Sequence, residues 1–199
     1  VTGLVEKPHS LLGSFDVSFV KMPSEVLVSS MRDHQKYFHL VDEQGTLLPC
    51  FIAVSNIRSK QPARVRQGNE RVLKARLSDA RFFWDEDRHR TLESRVTSLK
   101  SVTFHHRLGS LYDKTLRLEI LAGQLARHLG QDPSLSSRAA RLSKADLVSD
   151  MVGEFPNLQG TMGRHYADHD GEKRAVSRAI EEHYLPRQAG DSLPGSGLG

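Results

Sequence analysis

Apolar positions change their rhythm once along this chain. Up to about residue 60 they fall in short runs that suit strands. Leu11-Leu12-Gly13-Ser14-Phe15-Asp16 is one such piece, and Glu25-Val26-Leu27-Val28 suits either a strand or a short helix. Two β-prone runs, 37–41 and 47–54, flank the polar turn Asp42-Glu43-Gln44-Gly45-Thr46 and predict a hairpin. The second run, Leu47-Leu48-Pro49-Cys50-Phe51-Ile52-Ala53-Val54, is almost wholly apolar, which predicts burial on both faces. Pro49 then belongs near the start of its strand or at an edge.

Beyond Ser55-Asn56-Ile57-Arg58 the period becomes helical. Residues 64–87 predict a long helix with Val72, Leu73, Leu77, Ala80 and Trp84 on one side, and 92–106 predict the next. Ser110 is placed to N-cap a helix carrying Leu111, Leu118, Leu121, Leu125 and Leu129, which Gly130 ends. Asp132-Pro133 opens another helix, leading into 143–155. There Ala145, Leu147, Val148, Met151, Val152 and Phe155 fill one arc, and Asp146, Asp150 and Glu154 form a row opposite. Such a row costs about 0.2–0.5 kcal/mol per exposed pair unless something answers it. Phe155-Pro156 stops that helix and starts one through Tyr166; 173–184 make the last before Leu185-Pro186. The class is α+β: a β-rich portion at 1–62, a helical domain at 63–188 and a flexible tail at 189–199.

Composition narrows the functions. Hydrophobic residues make up 38% and charged residues 26% of 199, as in a globular protein, with no apolar run of spanning length. The single cysteine, Cys50, excludes an internal disulfide and a multi-cysteine zinc site and suits the cytoplasm. The net charge of +4 makes an anionic partner plausible. On the 64–87 helix, Arg71, Lys74, Ser78 and Arg81 fall within about 80° of one another. This is either a face for nucleic-acid phosphates or a solvated face answered by Asp79 and Asp85. Phe82, Phe83 and Trp84 point toward the apolar side, so no base-stacking platform is predicted. His105 and His106 with Asp146, Asp150 and Glu154 have the chemistry of a metal site but not its spacing, since adjacent histidines point apart. They are read as structural or surface residues. There is no phosphate-binding glycine loop and no nucleophile elbow.

Several blocks nevertheless stand together. Met31-Arg32-Asp33-His34-Gln35-Lys36-Tyr37-Phe38, Ala53-Val54-Ser55-Asn56-Ile57, the stretch from Gly68-Asn69-Glu70-Arg71 to Ala80-Arg81-Phe82-Phe83, Leu108-Gly109-Ser110-Leu111-Tyr112-Asp113-Lys114, Lys144-Ala145-Asp146-Leu147 and Leu158-Gln159-Gly160-Thr161-Met162-Gly163 closely resemble the β subunit of bacterial glycyl-tRNA synthetases. The resemblance runs from near Val1 to about Pro194 and implies an interior segment of a longer subunit. It implies a tetramer of two α and two β subunits that joins glycine to tRNA with ATP, which is used at the α subunit. It also implies part of an editing-domain-like module followed by a helical domain of the HD superfamily. Phosphohydrolases of that superfamily hold metal through a histidine–aspartate dyad, and the matching positions here are Ala145 and Asp146. With the dyad histidine missing, no metal and no catalytic residue are expected. Asp146 should be held by cationic or hydrogen-bond partners, while Asp150 and Glu154 cap or solvate. The partners implied are the α subunit, tRNA(Gly) and the remainder of β, with no membrane, and the tRNA-contact candidates are Arg71, Lys74 and Arg81. The alternatives are an active HD-type phosphohydrolase using His105 or His106 with Asp146, and a pure assembly scaffold for α.

Overall fold

The apolar runs of the first sixty residues pair into one antiparallel sheet. Its strands are β1 (His9–Ser14), β2 (Phe38–Val41) and β3 (Leu47–Ser55), in the order β1-β3-β2. The computed structural model describes Gly3 and residues 5–198; Val1, Thr2, Leu4 and Gly199, which the expected 1–62 and 189–199 segments include, lie outside the described residues. The β2–β3 hairpin forms as read: Asp42 Oδ1 accepts the amides of Gln44 (2.9 Å) and Thr46 (2.8 Å), and Gly45 takes a φ of 81°. Pro49 lies near the start of a strand that is central. The register slips between His39 and Val41, which pair with Phe51 and Leu47, so Pro49 falls inside the irregularity.

One expectation fails in β3. Leu47, Phe51 and Ala53 are buried while the intervening residues are half-buried, so one face meets the core and the other is only partly covered. A three-stranded sheet with a single layer packed on it alternates in this way, however apolar the strand. That layer comes from α1 (Ser24–Ser29), which settles the 25–28 ambiguity as helix, and from α2 (Pro62–Asp87). Leu73 and Leu77 of α2 join Phe19, Leu27, Met31 and Phe51 in the core, and Tyr37 stacks on Phe51 at 4.7 Å. Each leucine fully removed from water contributes about 1.5–3 kcal/mol. Val72, placed on the apolar side by its period, is exposed.

The chain divides into two compact units at Trp84/Asp85, so α2 contributes most of its length to the unit that holds the sheet. In the second unit, α3 (Leu92–Val96) gives way to a 3-10 turn at Thr97–Ser101 and a two-stranded ribbon, β4 (Thr103–His105) with β5 (Gly109–Ser110). The continuous helix predicted over 92–106 is thus corrected. The β-branched and aromatic run Val102-Thr103-Phe104 favours extended backbone, and Gly109 supplies the left-handed residue (φ 86°) before the Ser110 cap.

Next come α4 (Leu111–His128), α5 (Pro133–Leu142), α6 (Asp150–Glu154), α7 (Thr161–His169) and α8 (Arg174–Glu182). Ser110 and Asp113 form a reciprocal capping box on α4, Gly130 follows its end at φ 69°, and Asp132 caps α5 through the Ser134 amide. Gly123 lets α4 and α5 approach, since a Cβ there would sit 2.5 Å from Ser137 Oγ.

The 143–155 helix is also corrected. Residues Ala145–Val148 form a 3-10 turn, Ser149 is extended (φ −89°, ψ 153°), and its hydroxyl caps α6 through the Val152 amide. Ser149 competes for the helix backbone as an N-cap, and the stretch splits there. Likewise, the run to Tyr166 splits at Gly160, with φ 81°.

Candidate functional site

The basic side of α2 lies in the first unit. Arg71 and Lys74 are exposed there. Arg81 is half-buried: its guanidinium donates to Ser18 Oγ (2.8 Å) and lies 4.0 Å from the Phe19 ring centroid. Asp16 sits nearby. Its carboxyl is held below the ordinary value, first by hydrogen bonds from Ser18 and then by the charges of Arg81 and Lys74. The stripe therefore has two members turned to water and one that also ties α2 to the turn after β1. Phe82 is exposed, not turned inward, and meets Phe83 edge-on at 5.9 Å.

The acidic row does not exist as a row, because the stretch that carries it is not one helix. Ala145 and Asp146 are both fully buried, while Asp150 and Glu154 are exposed. Asp146 Oδ2 accepts the amides of Gly160 (2.6 Å) and Gly163 (3.1 Å), at the start of α7. Gly160 has no side chain to cap that helix, so the carboxylate supplies the missing acceptor and a negative charge at the helix's positive end. Burial pushes the Asp146 carboxyl up to about 6 against the pull of those amides and of Lys144.

Lys144 Nζ lies 2.6 Å from His183 Nε2 and 3.8 Å from the Tyr184 ring centroid. His183 Nδ1 lies 2.7 Å from the Ile180 carbonyl, which fixes Nδ1 as the protonated nitrogen and Nε2 as the acceptor. Asp146 is thus held by hydrogen bonds from two backbone amides, one of the two kinds of partner expected.

A dyad metal does not fit these residues. Ala145 offers no ligand atom, Asp146 Oδ2 is committed to two amides, and among the described residues no three His, Cys, Asp or Glu side chains gather as a metal site. His105 and His106 stand exposed on the β4–β5 ribbon with their rings 4.4 Å apart.

The family model described as glycyl-tRNA synthetase beta subunit matches residues 1–199. The chain belongs to the glycyl-tRNA synthetase beta subunit family. The glycine–tRNA ligase beta subunit of Trichlorobacter lovleyi is 58% identical over 202 residues, covering 100% of this chain and 29% of the relative. That of Citrifermentans bemidjiense is 55% identical, with 100% and 29% covered, and that of Marinobacter nauticus 51%, with 98% and 28%. The chain therefore spans under a third of the beta subunits it matches.

In this family member the strongest polar centre is one that periodicity missed. Asp87 and Arg95, both buried, pair at 2.9 Å. Asp87 also accepts the amides of Asp150 (3.0 Å) and Met151 (2.9 Å) and the hydroxyl of Tyr166 (2.7 Å). That set fills both carboxylate oxygens, which is what a buried charge needs. Burial first, and then Asp87, push the Tyr166 hydroxyl far up, so it stays a donor. In sequence Asp87 sat inside the charged break 85–89, and only its place at the end of an apolar helix face hinted at burial. Around it Arg138 joins Glu93 and Glu172, and Arg141 joins Glu93 (2.7 Å) and Glu119 (3.3 Å). No described helix is long and apolar enough to cross a membrane.

Proposed function

We propose that this chain is a part of a β subunit of a tetrameric glycine–tRNA ligase and contributes tRNA positioning and subunit structure. ATP is used at the α subunit, in the cytoplasm, and the chain carries no catalytic centre of its own. In this reading residues 1–62 are part of an editing-domain-like module, and 63–188 are an HD-like domain whose dyad position, Ala145-Asp146, has become a helix cap. The observation that carries the reading is the family match over residues 1–199 together with the exposed cations Arg71 and Lys74 on α2. Those two, with Arg81, contact phosphates as point charges rather than reading bases. The test is tRNA binding by the full-length β subunit across a salt series. Arg71→Ala with Lys74→Ala should reduce the slope of log K against log salt by about 1–2 and weaken binding to all tRNA sequences alike. Arg81→Ala adds to this through its free N–H groups. Unchanged affinity and slope in the Arg71/Lys74 pair would remove the assignment.

A second reading, an assembly scaffold for the α subunit, is favoured by the outer side of α4. Leu121, Leu125 and Leu129 stand exposed there at 59–63%, an unusual apolar face for a free surface. Leu121→Asp with Leu125→Asp should then release α on co-purification while leaving the salt slope of tRNA binding intact.

A further inference from the structure

Some cations of the second unit are ion-paired and others are not. Arg95, Arg138, Arg141, Arg164 and Arg178 are each ion-paired with a carboxylate. Lys114, Lys144 and Arg187 form no such pair among the described residues. Lys114 Nζ lies 4.0 Å from the Phe104 ring centroid, Lys144 turns to His183, and Arg187 donates to the carbonyls of Asn157 (3.1 Å) and Gln159 (3.0 Å). Two of them flank Tyr184, and the third is near enough for its charge to reach Lys144. Lys144 Nζ and Arg187 Cζ lie 3.8 Å and 5.5 Å from the Tyr184 ring centroid, and the charge of Lys114 bears on both Lys144 and His183. Of the carboxylates nearby, Asp146 is fully buried with Oδ2 committed to the Gly160 and Gly163 amides, and Asp191 Oδ2 accepts the backbone amides of Arg187 (3.0 Å) and Gln188 (3.0 Å).

The folded state holds these charges together against their repulsion. Burial, and then the charge of Lys114, bring Lys144 down to about 8. Burial, and then Lys144, Arg187 and Lys114, bring His183 down to about 4. Cations that are ion-paired to no carboxylate are completed by a polyanion, and release of the polyanion's counterions adds to the gain. We propose that Lys114, Lys144 and Arg187 form a phosphate-contact surface for an RNA backbone on the helical unit, separate from the Arg71/Lys74 face. The inference rests on the tRNA-positioning reading and adds a second contact to it. Contact here is with phosphate and not with base. Both ring nitrogens of His183 are engaged, and the half-buried Tyr184 ring is overlaid by cations.

The experiment uses the full-length β subunit and two tRNAs of different sequence, measured by equilibrium binding from low to moderate salt. Lys114→Glu with Arg187→Glu should reduce the magnitude of the salt slope by about 2 and weaken binding about tenfold or more near ~0.15 M salt, equally for both tRNAs. Lys114→Arg with Arg187→Lys should bind as wild type. Because Arg187 also holds two carbonyls, Lys114→Ala with Arg187→Gln provides a milder pair. It should lower the slope in the same direction with an unchanged thermal melt. Wild-type slope and affinity in that folded milder pair overturn the surface, whatever the Glu pair does. A wild-type subunit that binds tRNA, with both pairs silent, overturns this surface alone; one that binds no tRNA overturns it together with the positioning reading.

Discussion

Replacing Asp146 in two ways separates a helix cap from a ligand of anything else. Asp146→Ala deletes the acceptor for the Gly160 and Gly163 amides, which are buried at the start of α7. Each buried amide left without a partner costs about 1–3 kcal/mol, so the loss should be about 2–5 kcal/mol. Asp146→Asn keeps a carbonyl oxygen in the place of Oδ2. Its NH2 group takes the place of Oδ1, which has no hydrogen-bond partner among the described residues, so the count of unsatisfied atoms is unchanged. The charge is removed, and the surroundings disfavour that charge on balance, since burial pushes the carboxyl up to about 6. A shift of about 2 units corresponds to about 3 kcal/mol between the two protonation states. The Asn variant should therefore lie within about 1 kcal/mol of wild type at pH 7 or above it. Urea unfolding gives the totals, and native-state hydrogen exchange of the Gly160 and Gly163 amides reports the loss where it occurs. If Asp146→Asn proves as damaging as Asp146→Ala, the negative charge itself is required and the cap explanation is refuted.

Two further outcomes follow from the buried charges. Asp87→Asn leaves Arg95 uncompensated and turns an NH2 group toward donors, which should cost about 3–5 kcal/mol. It should also lower exchange protection at the Met151 amide by about two to three orders of magnitude; protection within a few-fold of wild type would show that the pair is dispensable. The pH dependence has opposing parts. The raised Asp146 carboxyl contributes stability that is present below its ordinary value of 3.8 and is lost as pH rises through about 6. The lowered His183 does the reverse: stability increases as pH rises from about 4 to its ordinary 6.5. Wild type should be nearly flat across that window, Asp146→Asn should gain stability with rising pH, and His183→Gln should lose it. Parallel urea-midpoint curves for all three proteins would contradict both assignments.

How far the sequence could be read depended on the range of the forces involved. The β2–β3 hairpin, α2, the Ser110 and Asp132 caps and the Gly130 stop rest on neighbours within four or five residues, and each stands where its spacing put it. The helices read over 92–106 and 143–155 misled because their apolar spacing is compatible with helix. Extended backbone at Val102 and Ser149 won through local competition that periodicity does not weigh. Arg71 and Lys74 were legible because a surface charge needs only a helix to place it. Asp87, Arg95 and the group Lys144–His183–Tyr184 were not, since their partners lie 8 to 79 positions away and nothing in the spacing announces them.

The sequence by itself determined the family, the α+β class, the hairpin and the long basic helix, because order of residues and local propensity decide those. Only the tertiary structure decided what Asp146 does. Three acidic residues at four-residue spacing looked like one charged row, but the chain breaks at Ser149. One of them is buried as the cap of α7, and the other two stand exposed. A buried charge is kept only where donors from distant parts of the chain converge on it, and that convergence is a property of packing.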